Sequence, residues 1–186
     1  MPKVLVPLAK GFEEIEAVTL IDVMRRGGIE VLVATLNEYN EVEGANAIVI
    51  KTDLHVSSVS VDDIDMIVLP GGWDGTYALA DDENVQTLLK EMDSKGKNIG
   101  AICATPYALN RAGVLRENYT CYPSVEQEIN LKGYQADRAQ VVEEANIMTS
   151  RGPATALCFG LQIVKKLVSE EMYLALKEGL LATYCD

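Results

Sequence analysis

Apolar runs of strand length alternate with segments of helical period along the whole chain, and that alternation leaves few architectures open. Lys3–Leu8, Glu30–Thr35, Asp65–Leu69 and Asn98–Ile102 are near-continuous apolar runs, the pattern of strands covered on both faces. A helix is predicted over Glu13–Arg26, where Ile15, Val18, Ile21 or Asp22, and Met24 fall near helical spacing and Gly27-Gly28 stops it. Val42–Ile50 reads as a small hairpin, and Glu83–Lys95 as an amphipathic helix closed by Gly96. Thr105–Ala112 begins another helix, with Pro106 at an early position where its missing N–H costs nothing. Short strands over Val141–Ala145 and Asn146–Ser150 precede a long helix from Gly152-Pro153 to Leu167 and a last one over Glu170–Leu180. Strands alternating with helices imply an α/β fold with a mostly parallel sheet. With no linker and no internal repeat, one domain is expected over residues 1–186.

Charge narrows the partners. Sixteen Lys and Arg stand against 28 Asp and Glu, a net −12, and such a field repels phosphate backbones and anionic lipid surfaces. Neither a nucleic acid nor a membrane is therefore an expected partner. No run approaches the ~18 apolar residues of a membrane helix, and the start lacks the pattern of a signal peptide, so a cytoplasmic location is expected. Cys103, Cys121, Cys158 and Cys185 include no C-x-x-C pair, so free thiols are expected rather than a disulfide framework or a zinc site. Within that pattern Cys158 reads as core packing and Cys185 as exposed. A Cys-His or Ser-His relay would have to use the single histidine, His55.

Three segments could carry chemistry. In Gly100-Ala101-Ile102-Cys103-Ala104-Thr105-Pro106, a small-residue strand end runs through a cysteine into a helix start. A side chain on such a turn is held at the carboxyl edge of the sheet, and the helix N-terminus favours thiolate over thiol. Plain burial of a small side chain fits the same pattern. Leu69 to Gly75 holds three glycines in seven residues, a loop that either presents N–H groups to an anion or merely needs positive φ. Glu13, Glu14 and Glu16 fit as dipole partners of a first helical turn. If one of them points inward toward Cys103 it would hold a proton and donate to the sulfur, and periodicity does not choose among the three.

Gly11-Phe12-Glu13-Glu14-Ile15-Glu16, Asp22 to Ile29, Leu69-Pro70-Gly71-Gly72, Ala101-Ile102-Cys103-Ala104 and Thr149-Ser150-Arg151-Gly152-Pro153 together resemble the ThiJ/PfpI superfamily, in order and over nearly the whole chain. The resemblance implies a flavodoxin-like three-layer sandwich, a homodimer and an oxidation-prone cysteine on a nucleophile elbow. Carried over by position, the reactive cysteine falls on Cys103 and its protonated glutamate on Glu14. The amides of an oxyanion-hole-like pocket fall on Gly72 and Ala104, and an arginine near the pocket mouth at the dimer interface falls on Arg26. Many members carry a histidine near the cysteine, where this sequence has Ala104 directly after it and Tyr122 further on. That departure disfavours peptidase and amidotransferase chemistry. What the resemblance then implies is a cofactor-independent glyoxalase or deglycase, acting on methylglyoxal-like aldehydes or early glycation adducts with Cys103 as nucleophile and Glu14 as proton shuttle. The alternative is an oxidative-stress sensor or redox-regulated chaperone that works through oxidation of Cys103.

Overall fold

The computed structural model describes residues 1–186. A seven-stranded sheet forms its middle layer. In chain order the elements are β1 (Lys3–Leu8), α1 (Glu14–Arg26), β2 (Glu30–Thr35), β3 (Glu41–Glu43), β4 (Val49–Lys51), β5 (Leu54–His55), β6 (Met66–Leu69), α2 (Trp73–Asp81), α3 (Glu83–Ser94), β7 (Asn98–Ile102), α4 (Pro106–Ala112), β8 (Asn118–Tyr119), β9 (Gly133–Tyr134), β10 (Val141–Glu144), β11 (Ile147–Ser150), α5 (Ala156–Leu167) and α6 (Glu170–Gly179). The sheet order is β10-β11-β7-β6-β1-β2-β5, with β10 antiparallel to β11 and the other neighbours parallel. This is the flavodoxin-like arrangement that the alternating pattern and the resemblance lead to.

Period-two burial explains the layers. Val4, Val6 and Leu8 of β1 pack on the side of α1 and α5, with Leu20, Met24, Phe159 and Ile163. Leu5 between them joins the opposite core, with Leu89 and Met92 of α3 and Leu109 of α4. β1, β6 and β7 therefore bury both faces, which is why their runs read as continuous apolar stretches. Close approach of α1 to α5 depends on two glycines, since a Cβ at Gly160 would lie 3.1 Å from Val23 and one at Gly27 2.5 Å from Val164. No helix is long and apolar enough to cross a membrane.

The chain reverses direction across the sheet between β1 and β6. After β1 it builds outward through β2 and β5, then returns to lay β6 on the other side of β1. Loops leaving the carboxyl ends of β1 and β6 part company there, and the crevice between them is where open α/β sheets hold their ligands.

Two local expectations are corrected. The Gly-rich segment is not a seven-residue loop, because α2 already begins at Trp73 and only Pro70-Gly71-Gly72 remains as connection. Gly75 hid that helix in the sequence. It sits inside because a Cβ there would come within 3.0 Å of the Phe12 backbone nitrogen. The cysteine expectation changes as well. Cys158 and Cys185 are disulfide-bonded with Cα atoms 5.0 Å apart, and Cys185 is buried rather than exposed. The turn after α6 lays the C-terminal residues back on α5, where Gln162 donates to the Asp186 carbonyl and Gln140 to that of Tyr184. Cys103 and Cys121 are free thiols.

A bridge across 27 positions restricts the unfolded chain, so reduction should lower the unfolding free energy by about 3 kcal/mol. Denaturant unfolding with and without a thiol reductant, using a Cys158→Ala/Cys185→Ala variant as the reductant-independent control, checks this. An unchanged midpoint would contradict it.

Candidate active site

Cys103 sits directly after β7 with a left-handed backbone, φ +64°, a conformation that costs a residue with a Cβ about 1–2 kcal/mol. Both of its backbone groups are pinned. Its N–H donates to the Ser150 carbonyl at 3.0 Å, and its carbonyl accepts from the Tyr122 N–H at 2.8 Å. Thr105 ties this turn to the neighbouring strand: its hydroxyl donates to the Leu69 carbonyl at 2.8 Å and accepts from the Ile102 N–H at 3.0 Å. Strain on the elbow is thus held by the ends of three adjacent strands, β6, β7 and β11.

The Pro70-Gly71-Gly72 connection leans onto the cysteine from β6. A Cβ on Gly71 would lie 2.6 Å from the Cys103 Cβ and 2.7 Å from a Glu16 carboxyl oxygen, so only glycine lets the three come together. Gly72, at φ +94°, is equally constrained, because a Cβ would fall 2.3 Å from the Gly11 carbonyl oxygen. The Gly71 carbonyl accepts from the Glu13 N–H at 2.8 Å, which locks the loop to the entry of α1. The N–H groups of Gly72 and Ala104 address the Cys103 sulfur.

The glutamate beside the cysteine is Glu16, not Glu14. Glu16 is fully buried, its Oε2 accepts from the Gly71 N–H at 2.7 Å, and its carboxyl lies beside the Cys103 thiol with Oε1 left without a hydrogen-bond partner. Glu14 turns away. Its carboxylate accepts from the Asn46 N–H at 2.5 Å, from the Asn46 side-chain amide at 2.9 Å and from the Ile48 N–H at 3.4 Å, clasping the β3–β4 turn to the start of α1. Burial alone would raise the Glu14 carboxyl, but these donors outweigh it and hold the group below its ordinary value. Glu13 is the N-cap, accepting from the Ile15 N–H at 3.2 Å. The three acidic residues therefore cap, clasp and face the cysteine in turn.

Helix phase is what the sequence reading missed. Ile15 and Val18, used there as the apolar stripe, are exposed, whereas Ala17, Leu20 and Met24 are buried. Glu16 lies four residues before Leu20 and so shares the inward face, a signal available had the stripe been set from 17-20-24.

Electrostatics at the pair follow from burial. Desolvation pushes the Glu16 carboxyl up to about 7, against the pull of the Gly71 N–H and the Cys103 thiol. Burial first, then the Glu16 carboxylate, pushes the Cys103 thiol well above its ordinary range, against the Gly72 and Ala104 N–H groups. The expected thiolate at a helix N-terminus is therefore corrected: α4 is only 7 residues long, and desolvation beside a carboxylate wins. The two groups titrate as one unit, the first proton leaving from the carboxyl near neutrality.

Remaining candidates scatter. Tyr122 reaches the elbow through its N–H, while its exposed ring lies over Gly152 and lines a hollow of about 260 Å³ with Pro123 and Arg151–Thr155. Arg26 is not at the pocket of its own chain. It occupies the last turn of α1, paired with Asp22 at 3.0 Å and ten residues from Glu16, roughly 15 Å along the helix axis. Cys121 is a buried thiol pushed up to about 12 by burial and by Glu126. His55 lies on β5, at the sheet edge with β2, β1 and β6 between it and β7, so no Cys-His relay forms.

A family model described as the DJ-1/PfpI family matches residues 2–166. The chain belongs to the DJ-1/PfpI family. Protein dj-1beta of Drosophila melanogaster is 40% identical over 182 residues, covering 97% of each chain. The crystal structure of Drosophila melanogaster DJ-1beta superposes with a TM-score of 0.92 at 39% identity, again over 97% of both chains. Oxidised Toxoplasma gondii DJ-1 superposes with a TM-score of 0.90 at 34% identity, over 97% of this chain and 98% of that one. A relative named glutathione-independent glyoxalase DJR-1.2, from Caenorhabditis elegans, is 36% identical over 159 residues, covering 86% of this chain and 84% of its own.

The raised Glu16 carboxyl has a sign in stability. The folded state holds this proton more tightly than the unfolded chain, so the stabilisation is complete below the unfolded value of 4.5 and is lost as pH rises through about 7. Glu16→Gln, which keeps an oxygen for the Gly71 N–H, should remove that loss. The variant should gain on the wild type by about 3 kcal/mol between acid and mildly alkaline pH in denaturant unfolding. Parallel pH profiles for the two proteins would contradict the buried protonated carboxyl.

Proposed function

We propose that this protein is a cysteine-dependent, cofactor-independent glyoxalase or deglycase-type enzyme acting on small α-oxoaldehydes such as methylglyoxal, or on their early adducts. The observation that carries the reading is the buried Glu16 carboxyl against the Cys103 thiol, with the Gly72 and Ala104 N–H groups on the same sulfur. The family membership and the glyoxalase-named relative support it.

Near neutral pH Glu16 is poised between its two protonation states, which suits a general acid and base. As the Cys103 sulfur attacks the aldehyde carbon, a C–S bond forms and the S–H proton passes to the Glu16 carboxylate. The carbonyl oxygen becomes an alkoxide, which backbone N–H groups in the pocket stabilise before Glu16 returns the proton to give a hemithioacetal. Glu16 then takes the proton from the former aldehyde carbon and an enediolate forms, its charge on the neighbouring oxygen. Delivery of that proton to the neighbouring carbon, as the hydroxyl proton of the sulfur-bearing carbon passes to the neighbouring oxygen, leaves a thioester on Cys103. Water cleaves the C–S bond, giving the 2-hydroxy acid and restoring the thiol. The sum is one aldehyde plus one water to one hydroxy acid, with no net redox change and no cofactor.

A redox-sensing role has support of its own. The same N–H groups and a protonated Glu16 are donors for oxygens on an oxidised Cys103, and an oxidised relative shares the fold. A homodimer is part of the proposal. Exposed Ile15 and Val18 of α1 flank a groove of about 390 Å³ whose far wall includes Leu180 and Tyr184, an apolar face suited to a second copy. The whole chain is taken to act as one unit.

Lactate formed from methylglyoxal without glutathione is the test. Cys103→Ser and Glu16→Gln should each lower turnover at least a hundredfold, as loss of a nucleophile or of a general base does. Glu14→Gln, away from the sulfur, should stay within a fewfold of the wild type. Equal losses at Glu14 and Glu16, or full activity in Cys103→Ser, would overturn the assignment.

A further inference from the structure

Beyond the cysteine pocket, α2 and α4 carry a row of aromatic rings that the proposed chemistry does not use. Trp73, the single tryptophan, stacks on Tyr77 one helical turn later, with ring centroids 6.2 Å apart and planes 28° from parallel. Tyr77 meets Tyr107 of α4 edge-on at 5.6 Å. Trp73 and Tyr77 are 42% and 40% exposed. The row begins where the pocket ends, because Trp73 follows Gly72 directly and Tyr107 lies four residues after Cys103.

Carboxylates edge the row. Glu128 receives the Tyr77 hydroxyl at 3.5 Å, and exposed Asp74 lies three residues before Tyr77 on the same helix. At the far end a cation already occupies such a setting: the Arg111 guanidinium donates to the Tyr107 hydroxyl at 3.4 Å and pairs with Asp81 at 3.4 Å. At the near end the same kinds of group, a phenol, an indole and two carboxylates, hold no cation of this chain. The cation–π contacts lie elsewhere, on Tyr173, and the ion pairs use neither Asp74 nor Glu128.

We propose that the Trp73–Tyr77 ledge, with Asp74 and Glu128, is a docking surface for an arginine side chain of a polypeptide partner. A guanidinium is planar enough to stack on indole and phenol faces, and its forked donors match a carboxylate. The net charge of −12 adds long-range attraction for a basic segment. The surface stands independently of what Cys103 catalyses.

Trp73 reports on its own environment, so the probe is direct. An arginine-containing, end-blocked tetrapeptide titrated into the wild-type protein should change the tryptophan fluorescence saturably and lose affinity at high salt. Asp74→Asn/Glu128→Gln should weaken binding about tenfold, and Trp73→Ala, followed by calorimetry, should do the same. A matched glutamate peptide should not bind. All three altered residues are exposed, and the double carboxylate variant keeps both rings as a second, independent reading. Absence of saturable binding, equal binding of the glutamate peptide, or affinity unchanged in the variants would overturn the proposal. So would a Trp73→Ala variant whose altered property is oligomeric state, since the face would then be a contact between copies. Turnover of methylglyoxal by Trp73→Ala, measured in parallel, separates failure of this surface from failure of the cysteine chemistry.

Discussion

A carboxyl group buried against a thiol is the interaction on which the rest of the site depends. Glu16 is fully buried, with one oxygen on the Gly71 N–H and the cysteine as its other neighbour. An ionised carboxylate in that position would be costly, so the fold stores a proton there, and the stored proton gives the cysteine a partner for chemistry. Two glycines make room for it. Any side chain at Gly71 would separate the glutamate from the sulfur, and any at Gly72 would push the loop off α1.

The architecture explains why this proton sits at one place on the sheet. β1 and β6 meet where the chain changes direction, so the entry of α1 and the β6–α2 connection diverge and leave a crevice. Cys103 rises from the next strand in a strained conformation that the ends of β6 and β11 hold in place through Thr105 and Ser150. Neighbouring acidic residues serve the same geometry indirectly. Glu14 fastens the β3–β4 turn over the start of α1, and Glu13 caps the helix that carries Glu16 inward.

Much of this was legible in the sequence. Continuous apolar runs at β1, β2, β6 and β7 reveal a sheet covered on both faces, and the small-residue strand end before Cys103 reveals the elbow. What escaped is what depends on helix phase or on distance along the chain. Glu14 came from the positional carry-over of the resemblance, and helix phase, with Ala17, Leu20 and Met24 inward and Ile15 and Val18 exposed, selects Glu16 instead. α2 was hidden because Gly75 lowers helix propensity in order to let Phe12 approach. The Cys158–Cys185 bridge joins residues brought together only by the turn after α6, and no local spacing encodes that return.

The central claim is that Glu16 holds a proton near neutrality beside a protonated Cys103. Carbon NMR of the Glu16 carboxyl across the pH range, with thiolate absorbance followed on the same samples, measures both groups at once. The account predicts a carboxyl midpoint near 7, with the Cys103 thiolate absent until much higher pH. A carboxyl midpoint near 4.5, or thiolate appearing near neutrality while Glu16 stays protonated, would contradict it.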